Sequence, residues 1–223
     1  MKNLSGLILA LMITSLSFHS CKSLSNTAKG ALIGGAGGAA AGAIVGKIAG
    51  NTAMGAVIGA AVGGTAGALI GKRMDKQAKE MQEDFKNAHV TRVGEGIIVT
   101  FDSGILFDNN KSDLKAAAKA NLDQLATTLK KYDETNLLIV GHTDSKGADD
   151  YNKILSEKRA TAVTSYVSTL GITTSRIKME GKGEVEPLAD NETEAGRAQN
   201  RRVEVAIFAS KAMQKAAKKG LIK

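Results

Sequence analysis

Nucleophiles, bases and soft metal ligands are scarce in this chain. It has one cysteine, Cys21, and three histidines, His19, His89 and His142. A single Cys excludes an internal disulfide framework and a zinc site of several thiolates. No HExxH or comparable ligand spacing occurs. His142, Asp144, Asp149 and Asp150 stand near one another, but the run from Asp144 to Asp150 lacks the alternating acids of a calcium loop. His142 reads as a satisfied turn residue. Glu184, Glu186, Asp190, Glu192 and Glu194 read as a solvated acidic loop. Hydrolysis needs a nucleophile with its base, a metal, or a distinguished pair of carboxylates. None is marked out, so the expectation is no catalysis, no metal and no cofactor. Two glycine patterns are decoys. Gly35 to Ala40 fits a loose dinucleotide fingerprint without a preceding strand. Gly67 to Lys72 is one residue short of a phosphate loop and lacks the following Ser or Thr.

The elements that would position any site fall into blocks. Of the 223 residues, 25 are Gly, and 14 of these lie between Gly30 and Gly71. The formal charge of +8 is uneven. Residues 1–90 carry nine basic and four acidic groups, residues 91–209 carry 16 and 18, and residues 210–223 carry five and none. The part with ordinary globular composition is therefore slightly acidic, which argues against a nucleic-acid partner. The flanking Lys suit anionic surfaces such as lipid head groups or cell-wall polymer.

Residues 1–20 begin with Lys2 and run apolar from Leu4 to Phe18. That core is short and broken by Ser and Thr, which suits a cleaved signal peptide rather than a membrane span. Cys21 follows directly after Ser20. The junction resembles a bacterial lipoprotein signal, although Phe18 and His19 depart from its usual residues. The resemblance implies that Cys21 becomes an acylated N-terminus opening a linker over 21–29. Lys22 after it favours outer-membrane sorting, again by resemblance. The alternative is an ordinary signal peptide with a chance Cys.

Glycines recur every fourth residue from Gly30 to Gly50 and again from Gly55 to Gly71. GALIGGAGGAAAGAIVGK (30–47) aligns with GAVIGAAVGGTAGALIGK (55–72), an internal repeat with a turn at Asn51-Thr52. Each interior Gly costs a helix about 1 kcal/mol in water. In a bilayer, internal backbone bonding favours the helix, and Gly at i, i+4 lets two helices approach closely. The block resembles the glycine-zipper segments of outer-membrane and surface-antigen proteins. The expectation is a membrane-associated helical hairpin over 30–71, compatible with homo-oligomer formation through the zipper; the alternative is a flexible linker. Residues 72–88 read as a spacer helix with Met74, Ala78, Met81 and Phe85 on one packing stripe. The basic tail 210–223 is expected to be disordered, with a helix on anionic lipid as the alternative.

From residue 89 the pattern is globular. Ile97 to Phe101 reads as a strand with Val90 to Val93 as hairpin mate, and Asp113 to Tyr132 as a helix with Ser112 as N-cap. Leu137 to Val140 is a strand, Lys153 to Leu170 a helix ended by Gly171, and Arg176 to Glu180 and Val203 to Phe208 are strands. The expected class is α+β, a βαβαββ sandwich of two helices on a mixed sheet, preceded by the glycine-rich hairpin.

Three stretches then carry a specific resemblance: FDSGILFDNNKSDL (101–114), GHTDSKGADDYNKILSEKRATAV (141–163) and GKGEVEPLADNETEAGRAQNRRVEV (181–205). Together they resemble the C-terminal peptidoglycan-binding domain of outer-membrane protein A. That domain is shared with peptidoglycan-associated lipoprotein and flagellar motor stator proteins. The resemblance implies a wall-binding domain over 89–209. Peptidoglycan of most Gram-negative bacteria contains meso-diaminopimelate, whose free end bears a carboxylate and an ammonium on one carbon. An Arg fork suits the carboxylate and an Asp suits the ammonium. The family uses the positions matching Asp144 and Arg159 for this task. Asn152, Asn110 and Arg201 match further contacts by resemblance. Leu155 and Ser156 are expected to order the helix start, Asp108 to serve as a turn or cap, and Arg202 to be structural or at the surface. An Asp144–Arg159 structural salt bridge is the alternative. The implied function is an outer-membrane lipoprotein with a periplasmic domain that binds peptidoglycan and ties membrane to wall. A glycine-zipper scaffold or assembly factor, or a cell-wall hydrolase, are the alternatives.

Overall fold

The computed structural model describes Met54, Ile58 and residues 64–222. The signal peptide, Cys21, the linker 21–29 and most of the glycine block lie outside the described residues. Helix α1 (Gly64–Asp84) leads into a hairpin of β1 (His89–Val93) and β2 (Gly96–Asp102). The one-turn helix α2 (Ser103–Leu106), helix α3 (Ala116–Lys131), strand β3 (Thr135–Gly141) and helix α4 (Asp149–Thr169) follow. Strand β4 (Ile177–Gly181), helix α5 (Glu194–Asn200), strand β5 (Arg202–Ala209) and helix α6 (Lys211–Lys218) complete the order.

The strands form one mixed sheet in the order β1-β2-β5-β3-β4. Only β3 and β4 are parallel, and α4 is the crossover that such a pair requires. Alternating β5 residues Val203, Val205 and Ile207 join Ile97, Val99 and Phe101 of β2 and Leu137 and Ile139 of β3 in the main core. Leu122, Leu125 and Leu129 of α3 and Val163 and Val167 of α4 cover that face. This is the α+β arrangement expected from the sequence.

Four local expectations change. Helix α3 starts at Ala116 with Lys115, not Ser112, in the cap position. A bridge between Phe107 and Leu114 holds the preceding residues extended. Helix α4 starts at Asp149, ahead of Lys153, with Asp149 and Asp150 in its first turn, where carboxylates favour the helix dipole. Ser156 consequently lies inside the helix; its hydroxyl donates to Lys153 O at 2.7 Å and accepts from Gly183 N at 2.8 Å. The tail from Ser210 is not disordered. Ser210 Oγ accepts from Met213 N at 3.1 Å, and Met213 and Ala217, one turn apart, are buried in the main core beside Ile70 and Met74.

The boundary expected between glycine block and spacer is absent, because α1 runs unbroken across it. Ala66, Ile70, Met74, Ala78 and Met81 form one buried stripe, and Phe85 stacks edge-on against Phe101 at 6.0 Å. Burial of that stripe offsets the helix cost of Gly67 and Gly71 in water. Among the described residues no helix is long and apolar enough to cross a membrane.

The opposite sheet face has its own small core. Val93, Ile98, Leu138, Val140 and Ala206 are covered by Met54, directly before the second glycine repeat, and Ile58 within it. A Cβ on Gly96 would meet Ile58 Cγ1 at 2.7 Å, so Gly96 makes the seat for that side chain. Beside this patch Arg202, 0% exposed, donates from Nε to Glu204 Oε1 at 2.7 Å. His142 Nε2 stands 3.7 Å from Glu204 Oε2, so His142 belongs to a buried polar network rather than to a simple turn.

Candidate functional site

A cavity of about 590 Å³ opens where β2 and β3 end and β5 begins. Its position is set by how closely α4 meets the sheet. Gly141 and Gly181 are register partners at the ends of β3 and β4. A Cβ on Gly141 would collide with Ser156 O, and one on Gly181 with Glu157 N. Bare backbone at both positions lets the middle of α4 lie directly on the strand ends. Arg159, less than one turn beyond Ser156, is thereby carried to the cavity.

Arg159 is 4% exposed. Its guanidinium lies over the Phe107 ring, 5.3 Å from the centroid, and Nε donates to Lys111 O at 3.1 Å. Among the described residues no carboxylate comes within 4.0 Å of it. Burial lowers its pKa, with Tyr151 and Asp144 opposing that shift. An Arg starting so far above neutrality stays cationic. The cavity therefore holds a desolvated positive charge with hydrogen-bonding capacity left over.

Asp144 does not pair with Arg159. Its Oδ2 accepts from Arg201 Nη1 at 2.6 Å, and its Oδ1 accepts from Lys146 N at 3.0 Å. Arg201 in turn donates from Nη2 to Glu194 Oε1 at 2.8 Å. Burial would lower the Arg201 pKa, but hydrogen bonds to both acids raise it. Bonds from Arg201 and Arg197 hold the exposed Glu194 carboxyl below its usual range. Glu194 thus lines the cavity and braces Arg201, so it is not a merely solvated loop acid. Its N-cap Thr193, whose hydroxyl accepts from Gly196 N at 3.0 Å, was the available sequence signal for a helix there.

Asn152 lines the same cavity, but its amide nitrogen is turned to the surrounding loop. It donates to Asp144 O at 3.2 Å, Lys146 O at 3.1 Å and Glu184 Oε2 at 2.6 Å. Asn110 also lines the cavity, at φ 56°, a left-handed backbone that Asn tolerates better than most residues. All five residues anticipated from the sequence, Asp144, Arg159, Asn152, Asn110 and Arg201, meet at one site. Two were missed. Ser103 Oγ and Thr143 Oγ1 line the cavity, buried and without a hydrogen-bond partner among the described residues. Nothing in their sequence positions distinguishes them from ordinary flanking polar residues. Asp108 is exposed and lies 3.6 Å from Lys111 Nζ, as a turn residue would. Chemically, the site presents a buried cation, a carboxylate already held by a second cation, and two available hydroxyls.

Comparison with known proteins gives two family matches. The OmpA family model matches residues 106–201, and the YMGG-like Gly-zipper model matches residues 1–75. Outer membrane protein A of Bordetella avium is 44% identical over 113 residues, 51% of this chain and 58% of that protein. Outer-membrane lipoprotein YfiB of Pseudomonas aeruginosa is 36% identical over 113 residues, 51% of this chain and 67% of that protein. The chain spans less than two-thirds of the length of the first curated relatives it matches. Among solved structures, the cell wall anchor of the T6SS from Pseudomonas aeruginosa aligns with a TM-score of 0.55 and 27% identity, covering 62% of this chain and 98% of that one.

Proposed function

The chain belongs to the OmpA family, and from that premise we propose that it anchors the outer membrane to the cell wall by binding peptidoglycan non-covalently. The outer-membrane names of its relatives and the cell-wall anchor among its structural neighbours support this reading. The group gripped is the free end of diaminopimelate. Arg159 takes its carboxylate, and Asp144 takes its ammonium while Arg201 holds that acid in place. Ser103, Thr143 and Asn110 offer further polar contacts. The membrane end is an acyl chain on Cys21, assisted by the glycine-rich segment.

One observation carries the ligand assignment: Arg159 is buried at the cavity without a carboxylate partner among the described residues. A desolvated guanidinium gains most from an anionic ligand that can bond it bidentately. Asp144 and Glu194 are each bonded by Arg201, which commits both carboxylates to ion pairs. The site is therefore read as a binding site without catalysis.

Removing one partner of such a buried charged contact costs about 2–5 kcal/mol of binding. Arg159→Ala and Asp144→Ala are each expected to abolish cosedimentation of the full chain with purified sacculi. Free meso-diaminopimelate is expected to compete with the wild type. Undiminished retention of both variants, with a wild-type thermal melt, would defeat the assignment. A mass spectrum of the mature protein without an acyl chain would defeat the membrane half alone.

A further inference from the structure

The strand register places the two ends of the sheet in opposition. Gly141 at the close of β3 faces Val203, whereas Thr135 at its start faces Ala209. The cavity sits at the first end. Helix α6 sits at the second, where Ser210 N donates to Glu134 O at 3.1 Å. Eight residues of β5 separate them, a span of about 25 Å.

Helix α6 is two-sided. Met213 and Ala217 face the core, whereas Lys211, Lys215 and Lys218 at i, i+4 and i+7 form an exposed stripe on the other side. Lys219 at the C-cap extends the stripe. The helix contains no acid, and among the described residues none of these four Lys lies within 4.0 Å of a carboxylate. Glu134, whose backbone carbonyl meets Ser210 N, has its carboxylate engaged by Arg73 at 2.8 Å. Just past the helix Leu221 is 70% exposed. A Lys stripe beside an uncovered Leu, on a helix whose apolar side is already buried, matches an anionic bilayer surface. The ammonium groups meet phosphates and the Leu enters the head-group boundary.

We propose that the outward face of α6, with Leu221, is a docking surface for an anionic phospholipid bilayer, at the end of the domain opposite the cavity. Wall and membrane then meet different ends of one sheet. The surface stands independently of the wall-binding reading, since it shares no residue with the cavity.

The test is cosedimentation of the full chain with phosphatidylcholine vesicles and with vesicles also containing phosphatidylglycerol. The wild type is expected to prefer the anionic vesicles by about tenfold or more, and to lose that preference in high salt. The variant K211Q/K215Q/K218Q/K219Q is expected to lose it while keeping wild-type retention on sacculi. The corresponding Lys→Arg variant is expected to keep it, which separates charge from folding. Arg159→Ala is expected to lose sacculi but not vesicle preference, so the two readings fail separately. Equal partition of the wild type between the vesicles, or a preference that the Gln variant retains, overturns the proposal. Lysine-dependent retention on sacculi without any vesicle preference overturns it too and assigns the stripe to wall polymer.

Discussion

At the residue scale, the buried network of Arg202, Glu204 and His142 makes the fold acid-sensitive. Burial alone would raise the Glu204 pKa, but the His142 hydrogen bond and the Arg202 charge bring it down to about 2. Burial lowers the His142 pKa, against the opposing pull of Glu204. Both folded values lie below their unfolded ones, so the unfolded chain binds more protons. Stability is present above the unfolded values and falls with acid. The loss starts below the ordinary histidine pKa of 6.5 and continues as Glu204 titrates between 4.5 and about 2. Urea midpoints are expected to fall between pH 7 and pH about 5, and His142→Asn to flatten that upper portion. A midpoint independent of pH across this range in the wild type would contradict the network.

The site residues were legible as types in a pattern, because GHTD and NRRVE place Asp144 and Arg201 at fixed points of strand and helix ends. Their pairing was not legible. Two arginines converge on one cavity, and which one reaches Asp144 depends on the orientation of α5 and β5. The periodic signal for α5 is also weak, since seven residues hold barely two turns.

At the element scale, the approach of α4 to the sheet is the arrangement on which the cavity depends. Gly141→Ala puts a methyl into the helix backbone at Ser156 O, where no flexible side chain can yield. The expected cost is about 1–3 kcal/mol or more, read as a lowered thermal midpoint, together with weaker sacculus binding as Arg159 is displaced. An unchanged midpoint would show that α4 has room to move. The long periodic helices were readable because their leucines repeat at 3.6 residues, as Leu122, Leu125 and Leu129 do. Helix starts were less readable: the Phe107–Leu114 bridge and the first turn of α4 are set by contacts distant in sequence. The order of the glycine pattern suited a bilayer and a protein surface equally, since both accept close backbone approach. The packing of Ala66, Ile70 and Met74 decides for the protein over Gly64–Gly71.

At the scale of the whole molecule, the second glycine repeat and the residue before it are tied to the domain at two more points. Met54 and Ile58 are 0% and 3% exposed on the sheet face opposite the main core. Ile58→Asp would set a carboxylate against Ile98 and Ala206, at a cost of several kcal/mol, about 2–5 by analogy with large core truncations plus desolvation. The expected outcome is a lower melting midpoint and new binding of a hydrophobic dye; wild-type behaviour in both would detach the repeat from the domain.

The antiparallel pairing of β3 with β5 has a mechanical consequence. Asp144 follows the far end of β3, and α6 follows the opposite end of β5. A load applied between these points pulls neighbouring strands lengthwise in opposite directions. Ladder bonds lie across the strands, so they are strained together in shear and do not unzip singly. With seven register pairs between β3 and β5, and seven more between β5 and β2, such a load is shared across the middle of the sheet.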